Sequence, residues 1–407
     1  VRFHPSLLAF IAGVVVMTGC AISWTPAIGP AVSSVLFTLA GFVTAFSIPF
    51  LPDIRPFPVV LSRREAWALP AVACGMMLSY HLSARIMDAS PLRYEDADMI
   101  PIMQAMARRF LAGDWSSVYD TVKEVWSGVQ PIYLPFLWIP FAAADVFDFD
   151  PRWVTVSGIW VAACVVILFV DLRRGLLGWL ILYLLFILMR HLHIDPSHNV
   201  IRLTEEGVVY AWYALLAWAL ASRSDLMLGL AFSACLFSRF SMAGAVPAIL
   251  LYRALQGRWK SLLQTAAVPA FLSGLAVLAF GLRTLMPFTS LPAKYIAYAK
   301  WVWRKNPEYM TEGLGLAKFF GPDRITLQHS LLVWTALLLP SAAAVLAWQV
   351  GRRRPGGLPN MDLALTTLAL TCFHALIVVP YQYLYFTPVF FALASAAIVQ
   401  SGRNPPR

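Results

Sequence analysis

Charge is what this chain has least of. Asp, Glu, Lys and Arg make up 13% of its 407 residues, about half the ~25% usual in soluble domains. Mean hydropathy is +0.69. So little charge excludes an ordinary soluble enzyme and points to lipid as the main solvent. Cysteine is equally sparse. Cys20, Cys74, Cys164, Cys235 and Cys372 fall in apolar runs without paired spacing, so no disulfide framework or zinc ribbon is encoded. The five behave as small hydrophobes. A Walker loop, a glycine-rich dinucleotide turn, a nucleophile elbow and a His-Glu-x-x-His pair are all missing. Charges in the middle of the apolar runs are nearly absent, which argues against an ion-coupled transporter or a proton pump.

What the chain does have is length of apolar sequence. Thirteen segments approach or reach the ~20 residues that span a bilayer: 6–24, 28–50, 66–84, 130–146, 151–170, 175–190, 206–222, 225–238, 241–254, 262–285, 330–350, 362–380 and 382–400. Continuous runs of this kind are helices, because barrel strands alternate in pieces of about ten residues. The expected fold class is therefore all-α, a polytopic helical membrane protein. No linker, low-complexity run or fixed-period repeat divides residues 1–407, which read as one membrane domain.

The net charge of +10 does not indicate nucleic acid. The basic residues recur in short connections: Arg55, Arg63, Arg64; Arg173, Arg174; Arg253, Arg258, Lys260; Arg352, Arg353, Arg354; Arg403, Arg407. That is the positive-inside pattern, and it orients the spans. Both termini are then cytoplasmic, and loops 85–129, 191–205 and 286–328 face outward. Three apolar segments separate the first two of these loops, so only an even number of them can cross. Segment 130–146, short and interrupted by Pro131, Pro135 and Pro140, reads as a broken or re-entrant piece. About twelve crossings are expected.

Seven of the 21 acidic residues lie between Arg85 and Val129, and three of them, Glu95, Asp96 and Asp98, fall within four positions. Clustered carboxylates raise one another's pKa, and one placed against a hydroxyl can act as a general base. The same residues would equally suit an N-capping acidic loop. Behind them Met99, Met103, Met106 and Phe110 recur at helical spacing, which predicts an amphipathic helix lying along the interface and stopping at Gly113. A second polar cluster contains His191, His193, Asp195 and His198. It reads as part of the same outer cleft, as a metal site, or as the polar cap of a helix. Ser238-Arg239-Phe240 interrupts two short apolar segments. An arginine there is costly unless it meets a partner or a wet cavity. Loop 286–328 is basic and aromatic, with Lys294, Lys300, Arg304 and Lys305 among six cations. Cations on the outer side run against the orienting rule, so they suit either an anionic ligand or interfacial snorkelling.

The chain carries Arg93-Tyr94-Glu95-Asp96-Ala97-Asp98, a helix ending Phe110-Leu111-Ala112-Gly113, then Val118-Tyr119, Pro131-Ile132-Tyr133-Leu134-Pro135, and the ending Tyr381-Gln382-Tyr383-Leu384-Tyr385-Phe386-Thr387-Pro388. Read together, these motifs resemble the GT-C superfamily of multispan membrane glycosyltransferases. The pattern looks most like bacterial members that transfer mannose, arabinose or aminoarabinose from polyprenyl-phosphate carriers. It covers about 66–400. Spans 6–24 and 28–50 precede the usual first helix, and Asp96 and Asp98 compete for one role. The resemblance implies two accessory spans in 1–65, a catalytic module in 66–260 with interfacial helices in loop 85–129, and C-terminal spans in 261–407. It also implies an inverting transfer in the bacterial plasma membrane, from a polyprenyl-phosphate sugar to an extracytoplasmic glycan or lipid. The base would be Asp98, Asp96 or Glu95. Asp195, His193 and His198 would form a second acidic position, and Arg239, Lys294, Lys300, Arg304 and Lys305 would bind the donor phosphate. No cofactor is required by this reading, and a divalent metal is left open. The competing class is a carrier that flips a lipid-linked sugar or polysaccharide.

Overall fold

The computed structural model describes residues 5–51, 68–92, 99–125, 128–172, 175–194, 200–222, 224–352 and 358–401. Apart from turns and one isolated antiparallel bridge between Val122 and Val129, these residues are helical. The longer helices in chain order are α1 (Pro5–Gly19), α2 (Pro30–Ser47), α3 (Ala68–Ala89), α4 (Met99–Leu111), α5 (Arg152–Phe169), α6 (Leu176–Ile194) and α7 (Glu206–Ser222). They continue with α8 (Asp225–Leu236), α9 (Ala245–Leu255), α10 (Trp259–Leu285), α11 (Leu291–Lys305), α12 (Ile325–Gly351), α13 (Met361–Leu376) and α14 (Phe386–Ser401).

Among the described residues, seven helical stretches are long and apolar enough to cross a bilayer: Pro5–Ile28, Pro30–Phe50, Arg152–Phe169, Leu176–Ile194, Trp259–Leu282, Pro322–Gly351 and Gln382–Ser401. A helical membrane protein is thereby supported, and the expected count of about twelve crossings is not confirmed among the described residues. The reason is helix length. Pro135–Phe147, Asp225–Leu236, Phe240–Leu255 and Met361–Leu376 are shorter apolar helices. At 1.5 Å per residue, the 12 residues of α8 cover about 18 Å of a ~30 Å hydrocarbon core. Segment 130–146 is broken, as its prolines require: a four-residue helix Pro135–Trp138, a 3₁₀ turn Ile139–Phe141, then Ala142–Phe147.

α14 is the centre of the bundle. In the stretch Gln382–Ser401, 94% of the residues in the most apolar window are buried, against α7, α5, α6 and α1. The two N-terminal spans are built into this core. α1 packs on α2 and α14, and α2 on α13. The Lys318 ammonium donates to Pro30 O at 2.9 Å, Ser34 Oγ at 2.9 Å and Gly313 O at 2.5 Å, which ties the segment 306–324 to the start of α2. α5 and α7 cross at two facing glycines. A Cβ added at Gly158 would collide with the backbone of Gly207, and one at Gly207 with that of Thr155.

Chain direction sorts the polar networks to opposite ends. Arg253, in the last turn of α9, donates to Asp225 Oδ1 at 2.8 Å, Ser261 Oγ at 2.8 Å, Thr265 Oγ1 at 2.7 Å and Asp362 Oδ2 at 2.7 Å. Those partners begin α8, α10 and α13, so one arginine clamps four helices at the end that also carries Arg258, Lys260 and Arg352. The large cavity described next lies at the other end.

Candidate functional site

A cavity of about 1540 Å³ opens among the end of α1, the start of α2, α4, α7 and α12, and the segments 128–134, 238–244, 292–313 and 380–387. Its wall combines tyrosines with buried charge. The Tyr298 and Tyr381 hydroxyls are 2.7 Å apart, and the Tyr381 and Tyr383 rings stack with centroids 5.4 Å apart. Tyr309 packs edge-on against Tyr381 at 5.5 Å. The Tyr210 hydroxyl donates to Tyr383 O at 2.8 Å, which fixes the backbone at the foot of this wall. Burial pushes the Tyr295 hydroxyl up to about 12, so it remains a donor at neutral pH.

Glu205 and Glu206 are both 0% exposed and both line the cavity. Their placement follows from local sequence. α7 starts at Glu206, where the helix dipole favours an anion. The Thr155 hydroxyl donates to Thr204 O at 2.7 Å, and the Glu206 N–H donates to Thr204 Oγ1 at 3.4 Å. Together with the Gly158–Gly207 crossing, these bonds fix the dipeptide against α5. Arg239 arrives from the break between α8 and α9, in extended backbone with φ −144° and ψ 142°. Its Nη2 donates to Glu205 Oε1 at 2.9 Å and also to Glu206 Oε1. The second oxygens, Glu205 Oε2 and Glu206 Oε2, are buried without a hydrogen-bond partner. The anticipated cost of Arg239 is thus met by two partners and a cavity together.

The sequence-derived candidates divide. Glu95, Asp96, Asp98, Asp195 and His198 lie outside the described residues. Met99, which follows Asp98 in the chain, lines the cavity and accepts from the Tyr383 hydroxyl at 3.6 Å through Sδ. α4 forms as its periodicity predicts. Met103 and Met106 are fully buried, and Gly113 with φ +78° follows the helix. Lys294 lines the cavity and donates to Gln130 Oε1. Lys300, Arg304 and Lys305 are exposed on α11 and are not among the lining residues. His193 is elsewhere as well: its Nε2 is 2.5 Å from Ser79 Oγ of α3, and its Nδ1 is 2.8 Å from Met189 O. It pins α6 to α3. Among the described residues no three His, Cys, Asp or Glu side chains gather into a metal-ligand set.

Glu205 and Glu206 are the residues that sequence reasoning passed over, because they sit where the polar stretch 191–205 meets an apolar segment and read as its polar edge. The available signal was a Glu-Glu pair beside a helix start, with an arginine in the later break. No family model, curated protein or solved structure matches this chain.

Proposed function

We propose that the protein is a membrane glycosyltransferase that moves a sugar from a polyprenyl-phosphate donor to a glycan or lipid acceptor at the extracytoplasmic face. One observation carries the reading: a large one-ended cavity with a tyrosine wall and two buried carboxylates, bordered by the residue that follows the acidic stretch 95–98. Tyrosine rings offer flat faces and hydroxyls to a sugar. A carboxylate, Asp98 or Asp96 in the sequence reading, accepts the proton of an acceptor hydroxyl as its oxygen attacks the anomeric carbon. The bond from that carbon to the phosphate oxygen breaks, and the prenyl phosphate leaves as an anion. Arg239 is already committed to two carboxylates, so we move the main phosphate contact to Lys294 at the cavity edge. Lys300, Arg304 and Lys305 supply the surrounding positive field.

A lipid-linked sugar carrier is the second reading, and the buried charges on the cavity wall fit it. The lining residues favour the transferase, because they all belong to one end of the bundle and the opposite end is clamped by Arg253. The test is transfer from a synthetic prenyl-phosphate sugar by purified protein in detergent. Transfer is expected, and Asn in place of the true base, Asp98 or Asp96, lowers turnover by about 10² to 10⁴. Flipping of the labelled lipid in liposomes with no transfer would replace the transferase by the carrier.

A further inference from the structure

The stretches Pro5–Ile28 and Pro30–Phe50 precede the pattern that the sequence resembles, yet they build part of the cavity. Cys20, Ala21, Ile22 and Thr25 line it from the first, and Pro30 from the second. The local reason is a break in the first helix. α1 passes at Cys20–Trp24 into a π-helical turn, then into a last short helix, Thr25–Ile28. In a π turn each carbonyl is bonded by the N–H five residues on, and such turns recur at functional sites. For Ala21 that residue is Pro26, which has no N–H to give. A side chain from far along the sequence bonds the Ala21 carbonyl instead: Gln382 Nε2 donates to it at 2.9 Å. Gln382 stands between Tyr381 and Tyr383, whose stacked rings belong to the tyrosine wall.

That bond settles which way the amide is turned. A carbonyl only accepts, so the nitrogen of Gln382 must be the atom at Ala21 and its oxygen is left for another partner. Gln382 is half-buried and lines the cavity, and its Oε1 accepts from no described residue. The first span thus presents an oriented, neutral acceptor to whatever enters. Such an acceptor selects a group with an O–H or N–H, and it offers nothing to a phosphate oxygen. We propose that Gln382 is a specificity residue that accepts a hydrogen bond from one ring hydroxyl of the bound sugar, and that the π turn of the first span holds it in that role through Ala21. The proposal rests on the functional reading only in taking the ligand to be a sugar, which the transferase and the carrier share. The two N-terminal spans are then part of the site rather than accessories to it.

The experiment uses the purified full chain in detergent and short prenyl phosphates carrying mannose, glucose, galactose or arabinose. The monodeoxy forms of the tightest binder follow. Binding is read by tryptophan fluorescence, because Trp301 lines the cavity. One monodeoxy probe is expected to bind about three- to tenfold weaker than its parent, the scale of a neutral hydrogen bond. Gln382→Leu is expected to abolish that ratio. Pro26→Ala is expected to abolish it too while keeping the glutamine, because residue 26 then has an N–H for the Ala21 carbonyl and the amide is released. A glutamine that only tied two spans together would lower the melting temperature when lost and leave the ratio alone. Equal tolerance of every deoxygenation by the wild type overturns the proposal, and so does a ratio unchanged in Gln382→Leu. A ratio lost in Gln382→Leu but kept in Pro26→Ala overturns the part given to the first span. If Gln382→Leu does not elute as a monodisperse species, Pro26→Ala decides by the same ratio. Absence of binding by all four parent probes would instead overturn the sugar reading, which separates its failure from that of Gln382.

Discussion

Arg239 meets two carboxylates, and that ratio controls what each substitution does. Arg239→Ala leaves Glu205 and Glu206 facing each other without compensation, and breaking a buried pair in this way costs about 3–5 kcal/mol. Glu206→Gln instead leaves one carboxylate against one guanidinium and is expected to be much milder. Thermal unfolding in detergent separates the two. Equal losses would mean that charge balance does not govern this part of the fold. Lys318 gives a prediction in pH. Burial lowers its pKa from 10.5 to about 8, so the fold disfavours the ammonium relative to the unfolded chain. The penalty is full below pH 8 and disappears as pH rises towards 10.5, because the folded protein loses the proton first. The wild-type melting temperature is therefore expected to gain on that of Lys318→Met between pH 8 and 10.5. A constant difference across that window would show that Lys318 is not destabilised by its surroundings.

At the scale of elements, the α5–α7 crossing decides where Glu206 stands. Backbone faces backbone at Gly158 and Gly207, so a methyl group cannot be absorbed by a side chain moving aside. Close helix approach through small residues is the usual means of packing in lipid. Gly207→Ala is expected to destabilise by about 1–3 kcal/mol, the cost of overpacking. It is also expected to weaken sugar-probe binding, by pushing Glu206 away from Arg239. A variant that binds a synthetic prenyl-phosphate sugar normally, read by a tryptophan-fluorescence titration, would detach the crossing from the site. Elements were the level at which the sequence was most legible. The methionine periodicity of α4, its glycine stop, the proline breaks in 130–146 and the interruption at Arg239 all depend on neighbours a few residues apart. The Glu205–Arg239 pair joins residues 34 positions apart, and the Tyr298–Tyr381 contact joins residues 83 apart. Local periodicity carries no record of either. For the same reason His193 read as a candidate for the cleft, although α3 supplies its partner.

At the scale of the whole molecule, apolarity and the distribution of arginine were enough to indicate a helical membrane protein. Among the described residues seven helices are long and apolar enough to cross, and the larger count of about twelve is not confirmed, since hydropathy counts apolar residues and cannot see where a helix stops. The cavity end and the Arg253 end are opposite, so sidedness has a direct check. In a variant lacking Cys74, which is exposed, a cysteine at Ser117 is expected to react with a membrane-impermeant maleimide added outside intact cells. One at Lys260 is expected to react only after lysis. The reverse pattern would put the cavity on the cytoplasmic side, where a soluble nucleotide donor replaces the lipid-linked one.

The burial of α14 has a further consequence, in time. This helix follows in the chain the helices it packs against, α1, α5, α6, α7 and α13. At about 5–20 residues per second of synthesis, α1 waits roughly 20–80 s for the segment that completes its surroundings. Throughout that interval the bundle has no middle, and its inner faces must be occupied by lipid or by the insertion machinery. The centre of the bundle is therefore synthesised after the helices that surround it. A ribosome stalled before residue 382 leaves a ring of helices around an unfilled core, which is a target for quality control however well each span has inserted.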